Sequence, residues 1–285
     1  MQLNAFFPSL DIGNDPAKIR DWAQAAEDLG YAYIEVPDHV FGATARDGWV
    51  PLYNEKASFH ETFVTLGFLA AVTKTIRLSS GILIAPQRQT GVIAKQAAEV
   101  DLLSGGRLRL GIGLGWNHVE YEALGAEWTT RGARQAEQVK VLRRLWCESL
   151  VSFKGRFHNL KDVSIVPPPV QRPIPIWFGG SSDAAMRRAA RLGDGWMPIM
   201  AADAQAEQKL AALKEQLESF GRDPAKFGIE GWLRMQSAAP QGWAAAADGW
   251  RRLVADMVML YPMYRILNFD DHIETLRRFK EVASG

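Results

Sequence analysis

The sequence predicts a closed barrel of eight parallel β-strands, each followed by an α-helix, with an insertion ahead of the fifth strand. Short apolar runs alternate about eight times with longer segments of helical period, which is typical of repeated strand–helix units. The chain has 285 residues, 47% of them hydrophobic, which is enough for the core of one such barrel. No stretch has the composition of a linker, so we interpret residues 1–285 as one domain. A doubly wound open sheet is the alternative fold.

The first half of the chain supplies four strands and four helices. Asp15 and Pro16 predict the start of the first helix, as an N-cap and a first-turn proline, and Gly30 predicts its end. The loop from Asp38 to about Ser58 is long, and such loops usually carry function. The predicted strands are Leu3–Phe7, Tyr33–Val36, 76–85 and 108–115, and the predicted helices are 15–29, 60–73, 90–104 and 131–148.

The second half resumes the alternation after an irregular segment. Residues 151–174 are rich in proline, which cannot continue a helix, and they predict a small hairpin over one end of the barrel. Because parallel barrels carry their active sites on the loops after the strands, we expect functional residues at the strand ends. The remaining predicted strands are 175–179, 195–200, 227–237 and 258–263, and the remaining predicted helices are 182–193, 204–219, 243–254 and 270–283.

The composition argues against several classes of partner. The formal charge is +1, from 33 basic and 32 acidic residues, with no basic block that would bind nucleic acid or an anionic membrane. Cys147 is the only cysteine, which rules out an internal disulfide, and we interpret it as a packed thiol on a helix. No signal sequence is evident, and no apolar stretch reaches the roughly 18 residues of a membrane span. We therefore expect a cytoplasmic protein.

The strongest local motif is IWFGGSSDAAMRRAA, in which an apolar strand passes through Gly179, Gly180, Ser181 and Ser182 into a helix. Glycines allow a ligand to approach the backbone, and the N–H groups at a helix N-terminus favour an anion such as phosphate. A tight turn with a serine N-cap explains the same residues equally well.

A second set of glycines, Gly111, Gly113 and Gly115, occupies alternate positions in LRLGIGLGW. The dinucleotide-binding fingerprint does not fit, because Trp116 and His118 stand where its third glycine would be required. Alternate glycines remove the side chains from one face of a strand end, which leaves room either for a flat ligand or for a crowded barrel interior.

His39 lies just after the second predicted strand, at the end of the barrel where an active site is expected. A neutral imidazole there could exchange a proton near neutral pH, and a structural loop histidine is the alternative. The histidines, five in all, show no metal-ligand spacing, so we expect no metal site. No G-x-S-x-G elbow predicts serine hydrolysis, and no acid stands out as part of a catalytic carboxylate pair.

Taken together, these residues resemble the luciferase-like monooxygenases, and specifically the F420-dependent oxidoreductases among them. The resemblance spans nearly the whole chain and is most specific in the combination of DLLSGGRLRLGIGLGW, IWFGGSS and GDGW. It implies a (β/α)8 barrel with an insertion before strand five and a cofactor at the C-terminal ends of the strands. The cofactor implied is the deazaflavin coenzyme F420, with FMN as the alternative.

The resemblance also implies roles for particular residues. The phosphate of the cofactor would be held by the turn at Gly179–Ser182, and a non-prolyl cis peptide at Gly81-Ile82 would lie behind the cofactor ring. Gly113, Gly115 and Trp116 would line the same pocket.

F420 carries a hydride, so the substrate proton needs its own acid or base, which His39 would supply by analogy with F420 enzymes. Some F420 dehydrogenases place a glutamate just after strand four, where this chain has Trp116, which argues against a sugar-phosphate dehydrogenase. The resemblance leaves two alternatives open: an FMN-dependent monooxygenase, and a non-catalytic barrel that binds a flavin or another phosphorylated ligand.

Two further expectations concern the surface. A small organic substrate would lie under the loop from His39 to Ser58, and arginines near the strand ends, namely Arg88, Arg187 and Arg188, could attract the anionic tail of F420. The second and third helices carry apolar or small residues on more than one face, which predicts a homodimer like those common in this family, with burial inside the chain as the alternative. These residues are Phe63, Leu66, Gly67, Ala70, Ala71, Ala94, Ala97 and Ala98.

Overall fold

The computed structural model describes residues 1–46, 48–234, 240–253, 255–261 and 269–283, and they confirm the predicted barrel. Eight parallel strands close on themselves, because the first strand pairs with the last and the third barrel strand pairs with the fourth. The strands of the described residues are β1 Gln2–Phe6, β2 Tyr33–Val36, β3 Arg77–Ser80, β4 Leu83–Ile84, β5 Leu108–Gly113, β6 Val151–Lys154, β7 Asn159–Val163, β8 Ile176–Gly179, β9 Gly195–Met197, β10 Gly228–Arg234 and β11 Met257–Tyr261.

The barrel takes one strand from each predicted unit. β3 and β4 together form its third strand, interrupted at Gly81 and Ile82, and β8 is its fifth. The hairpin of β6 and β7 is antiparallel and lies in the insertion before β8, as predicted. The predicted strand ends at 235–237 and 262–263 lie outside the described residues, as does the predicted helix end at Val254.

The helices surround the barrel, and in the described residues they are α1 Pro16–Asp28, α2 Thr62–Val72, α3 Thr90–Leu103, α4 His118–Ala123, α5 Arg131–Cys147, α6 Asp183–Leu192, α7 Ala204–Ser219, α8 Pro240–Arg252 and α9 Phe269–Ala283. Helix α1 begins as predicted, since the side chain of Asp15 accepts from the N–H of Ala17 and Pro16 stands in the first turn. The short helix α4 was not predicted. Asn117 caps it by accepting from the N–H of Glu120 at 3.2 Å.

Cys147 corrects one prediction. It is the last residue of α5 and its side chain is exposed, so the expectation of a packed thiol is wrong. Leu142, Leu145 and Trp146 face the core from this helix, and one further residue turns by about 100° around the helix axis, toward solvent.

The predicted dimer face is largely internal to the chain. Of the eight residues that suggested it, Phe63, Leu66, Ala70, Ala94, Ala97 and Ala98 are buried within the chain itself, so the alternative of internal burial applies to them. They pack α2 and α3 against each other and against the barrel. The homodimer stays a prediction, without support from these six residues.

One layer of the barrel interior is charged, whereas branched apolar residues usually fill such layers. Its members are buried and come from four strands: Asn4 of β1, Glu35 of β2, Arg109 of β5 and Glu230 of β10. The cavity described next lies above this layer, toward the C-terminal ends of the strands.

Candidate active site

A cavity of about 730 Å³ opens at the C-terminal ends of the barrel strands, a volume within the usual range for small-molecule sites. The structure brings every residue that the sequence proposed for the site to the wall of this one cavity. These residues are His39, Gly81, Ile82, Gly113, Gly115, Trp116, Gly179, Gly180, Ser181 and Ser182.

The turn between β8 and α6 has a geometry that favours an anion. Gly180 has a φ of +106°, a conformation that a residue with a Cβ rarely adopts, and it turns the chain from β8 into α6. The first N–H groups of α6 lack partners within the helix and point toward this turn. The positive end of the α6 helix dipole lies at the same place. Ser182 caps the helix by accepting from the N–H of Ala185 at 3.2 Å.

The hydroxyl of Ser181 has a different role from the one expected. It accepts from the N–H of Ile199 and donates to the carbonyl of Ile199, both at 2.9 Å. Its side chain therefore ties the turn to the loop after β9, and only its backbone remains for a ligand.

Two arginines add positive charge to the same cavity. Arg131, at the start of α5, and Arg188, on α6, both line the cavity, and within the described part of the chain neither lies at ion-pair distance from a carboxylate. Burial, followed by the charges of Arg131 and Arg191, lowers the pKa of Arg188. Because a half-buried guanidinium repelled by its neighbours is stabilised by an anion, the pair favours a phosphate or carboxylate ligand.

The other two arginines expected here do not face the cavity. Arg88 is bound to Asp38 at 2.6 Å and to Glu61 at 2.9 Å, and Arg187 lies over the ring of Phe220. Two carboxylates neutralise Arg88, and Arg188 alone of the three lines the cavity.

The cis peptide Gly81-Ile82 is present, at the bond that was predicted. A Cβ added at Gly113 would lie 2.3 Å from the side chain of Ile82, and a Cβ added at Gly179 would lie 2.9 Å from it. These two glycines therefore make room for Ile82, and through it for an apolar wall of the cavity. Gly115 makes room for Ile84 in the same way, with a contact of 3.0 Å.

His39 lines the same cavity and is held by Glu120. The Nδ1 atom of His39 lies 3.1 Å from Glu120 Oε2, and the backbone N–H groups of Val40 and Phe41 donate to Glu120 Oε1. Gln87 donates to Glu120 Oε2 at 3.2 Å. With Nδ1 donating to the carboxylate, Nε2 is the nitrogen left for a ligand in the cavity.

The buried Glu120 is ionised. Burial alone would raise the pKa of Glu120, but the hydrogen bond and charge of His39, followed by the N–H groups of Phe41 and Val40, hold that pKa below its ordinary value. A carboxylate saturated with donors in this way fixes the orientation of the imidazole.

The surroundings of His39 are aromatic. Its ring lies 4.8 Å from that of Phe59 and 5.5 Å from those of Tyr53 and Trp116. The hydroxyls of Tyr53 and Tyr261 are hydrogen-bonded at 2.6 Å. The part of the cavity around His39 therefore suits a neutral, largely apolar group rather than a second phosphate.

Three acids of the cavity region were missed from the sequence, so the expectation that no acid stands out was wrong. Glu120 lies in a short helix without a periodic signal, and Glu35 and Glu230 interrupt apolar strands. The signal that was available is the charge at an inward-facing strand position, in YIEV and in GIEGW, where alternation places the side chain inside the barrel.

Other classes of site find little support in the described ranges. No group of three or more His, Cys, Asp or Glu side chains there could hold a metal ion. In the same residues no helix is both long and apolar enough to cross a membrane.

Fold and site together define a (β/α)8-barrel protein with a glycine–serine turn after its fifth strand and a histidine–glutamate pair at the same cavity. The chain belongs to the luciferase-like monooxygenase family, whose model matches residues 3–278.

Relatives and solved structures agree with this assignment. An uncharacterized protein of Mycobacterium bovis is 34% identical over 207 residues, which cover 70% of this chain and 71% of that protein. An F420-dependent glucose-6-phosphate dehydrogenase of Kineococcus radiotolerans is 32% identical over 212 residues, covering 73% of this chain and 60% of that protein. The crystal structure of a monooxygenase from Streptomyces bottropensis superposes with a TM-score of 0.81 at 22% identity, covering 99% of this chain and 98% of that one.

Proposed function

We propose that the protein is an F420-dependent oxidoreductase that moves a hydride between the deazaflavin and a small organic substrate. The observation that carries the proposal is the combination found in one cavity: a glycine–serine turn with two arginines that have no carboxylate partner among the described residues, and a histidine fixed by a buried carboxylate. Relatives named as F420-dependent dehydrogenases support the choice of cofactor.

The residues present fit such a cofactor. The turn from Gly179 to Ser182 and the guanidinium of Arg188 would hold its phosphate, and the open, arginine-lined part of the cavity would leave space for the anionic tail beyond it. Ile82 would support the ring from the apolar wall. When bound, F420 supplies the two-electron hydride chemistry.

His39 would handle the substrate proton at its Nε2 atom. The carboxylate of Glu120 accepts from Nδ1, which leaves the Nε2 lone pair to take a proton from a hydroxyl or, when protonated, to give one to a carbonyl. The rings of Phe59 and Trp116 lie against the imidazole, whose side chain is 10% exposed, and a hydrogen bond made in such apolar surroundings is stronger than one made in water.

The test is whether neutral alcohols reduce bound F420 and whether carbonyl compounds oxidise its reduced form. The reaction is monitored through the fluorescence of the oxidised cofactor. His39→Asn should abolish the reaction while binding F420 normally. His60→Gln is the matched control, since His60 contacts the carbonyl of Gly13 outside the cavity. If no alcohol or carbonyl compound changes the redox state of bound F420, the proposal fails.

A further inference from the structure

Two buried carboxylates share a single cation at the floor of the cavity. Arg109 lies 2.7 Å from Glu230 Oε2 and 3.3 Å from Glu35 Oε1, and the exposed fractions of all three side chains are 1% or less. The guanidinium lies 4.1 Å from the centre of the Tyr33 ring and 4.5 Å from that of Trp177, so apolar surfaces confine the charge.

Part of each carboxyl group has no donor. Asn4 donates to Glu35 Oε1 at 3.1 Å, whereas Glu35 Oε2 and Glu230 Oε1 have no hydrogen-bond partner among the described residues. Both glutamates line the cavity. Glu35 Oε2 is buried and lies 2.9 Å from the place where a Cβ at Gly81 would stand, so a side chain at Gly81 would press directly on that oxygen.

The charges of this cluster do not balance when both acids are ionised. The groups that face the pair are the guanidinium of Arg109, the phenol of Tyr33 and the neutral Asn4, with Ser79 accepting from Arg109 Nε. Burial, followed by the charge of Glu230, raises the pKa of Glu35 well above its ordinary value.

We propose that Glu35 and Glu230, which share the guanidinium of Arg109, form a ligand subsite that accepts a hydrogen bond from a neutral N–H or O–H group of the ligand in the cavity. With Glu35 protonated, the charge of Arg109 balances the remaining carboxylate and the cluster is neutral. The Glu35 Oε2 atom nonetheless requires a donor, because a buried acceptor without one costs free energy.

The occupant follows from this chemistry. An anion would meet two carboxyl groups, so the phosphate of a ligand has to lie by the arginines of the cavity and a neutral polar edge has to meet the floor. On the proposed function, which this inference deepens, that edge is the amide- or imide-type edge of the deazaflavin ring system.

The first test is infrared difference spectroscopy of the intact protein at neutral pH. A protonated carboxyl group gives a carbonyl band that shifts in D₂O, and we expect one such band in the wild-type protein that disappears in Glu35→Gln. Saturation with F420 or FMN should shift the band. Absence of the band, or a band that stays in place when either cofactor is bound, overturns the subsite.

The second test is affinity. Glu35→Gln keeps a polar neutral group and should bind F420 within threefold of wild type, whereas Glu35→Leu should bind at least tenfold more weakly. Equal affinity in all three proteins overturns the subsite. Should Glu35→Leu fail to fold, the infrared result decides.

A failure of the proposed function can be distinguished from a failure of the Glu35–Glu230 subsite. If neither F420 nor FMN binds, the proposed function fails, and the subsite is decided by lumichrome, a neutral tricyclic imide without phosphate. A shift of the carboxyl band by lumichrome supports the subsite, and an unchanged band at saturation overturns it.

Discussion

Replacing Glu120 by glutamine should move the proton of the neutral His39 ring from Nδ1 to Nε2, the nitrogen left for a ligand in the cavity. The two oxygens of Glu120 accept from four donors: the N–H groups of Val40 and Phe41 on one oxygen, and Gln87 and His39 Nδ1 on the other. A glutamine amide can satisfy only one of these pairs. If its oxygen keeps the backbone pair, its NH₂ group faces His39, which must then accept at Nδ1 and carry its proton on Nε2.

Glu120→Gln should lower both the stability of the protein and its turnover. At this fully buried carboxylate the charge-assisted bond from Gln87 is lost, at about 1.5 kcal/mol or more, and the bond to His39 becomes a weaker neutral one, so the free energy of unfolding should fall by about 2 kcal/mol. Since Nε2 then presents a proton to the cavity, the base for hydroxyl oxidation is missing, and turnover should fall about a hundredfold.

The stability difference should also depend on pH. The folded pKa of Glu120 lies below its ordinary value, because the bonds from His39 and the backbone outweigh burial. A lowered pKa contributes stability above the unfolded pKa of glutamate, about 4.3, and that contribution is lost as the pH falls through the folded value. Wild type and Glu120→Gln should therefore differ fully at pH 7 and converge in acid.

The assay is urea unfolding across this pH range, together with turnover of F420. Glu122→Gln is the matched control, since Glu122 lies on the same helix with an exposed side chain, and its stability should stay within about 0.5 kcal/mol of wild type. A Glu120→Gln protein as stable as the Glu122 variant, or one with turnover within a few-fold of wild type, would refute the reasoning.

Three further predictions concern residues that line the cavity. Gly180→Val should weaken F420 binding at least tenfold, because φ at Gly180 is +106° and a branched side chain would displace the turn; unchanged affinity by fluorescence titration would exclude the turn as a phosphate site. His39→Ala should bind F420 normally and turn over at least about a hundredfold more slowly, and near-normal turnover in steady-state assays would mean a structural histidine. Arg188→Gln should lower F420 affinity about tenfold and reduce its dependence on salt, whereas Arg187→Gln, at an exposed residue on the same helix outside the cavity, should change neither; equal effects of the two changes would mean that Arg188 makes no specific contact with the cofactor.

The fold could be predicted from the sequence because the period of the apolar residues changes from strand to helix at each unit. The helix bounds at 204–219 agree with the structure at both ends, since Asp203 caps α7 and the helical period is unbroken. Local signals determined the turn after β8 for the same reason: glycine, serine cap and apolar strand are all adjacent in sequence.

The contacts of the site could not be predicted, because they join residues far apart in the chain. Glu120 meets His39 across 81 positions, and nothing near either residue indicates the other. Arg88 looked available for a cofactor tail, yet it neutralises Asp38, whose other oxygen accepts from Ile84 and holds the third barrel strand. The alternate glycines allowed two interpretations, room for a flat ligand or room for packing inside the barrel. The position of the Ile82 side chain shows that Gly113 makes room for packing.

The central claim is the choice of cofactor, and titrating the purified protein with F420 and with FMN, each followed by fluorescence, tests it most directly. Arg131 and Arg188 have no carboxylate partner among the described residues, which predicts that F420, with its anionic tail, binds at least ten times more tightly than FMN and that salt reduces the preference. Tighter binding of FMN, together with oxygen consumption by the reduced complex, would contradict the account and indicate a flavin-dependent monooxygenase.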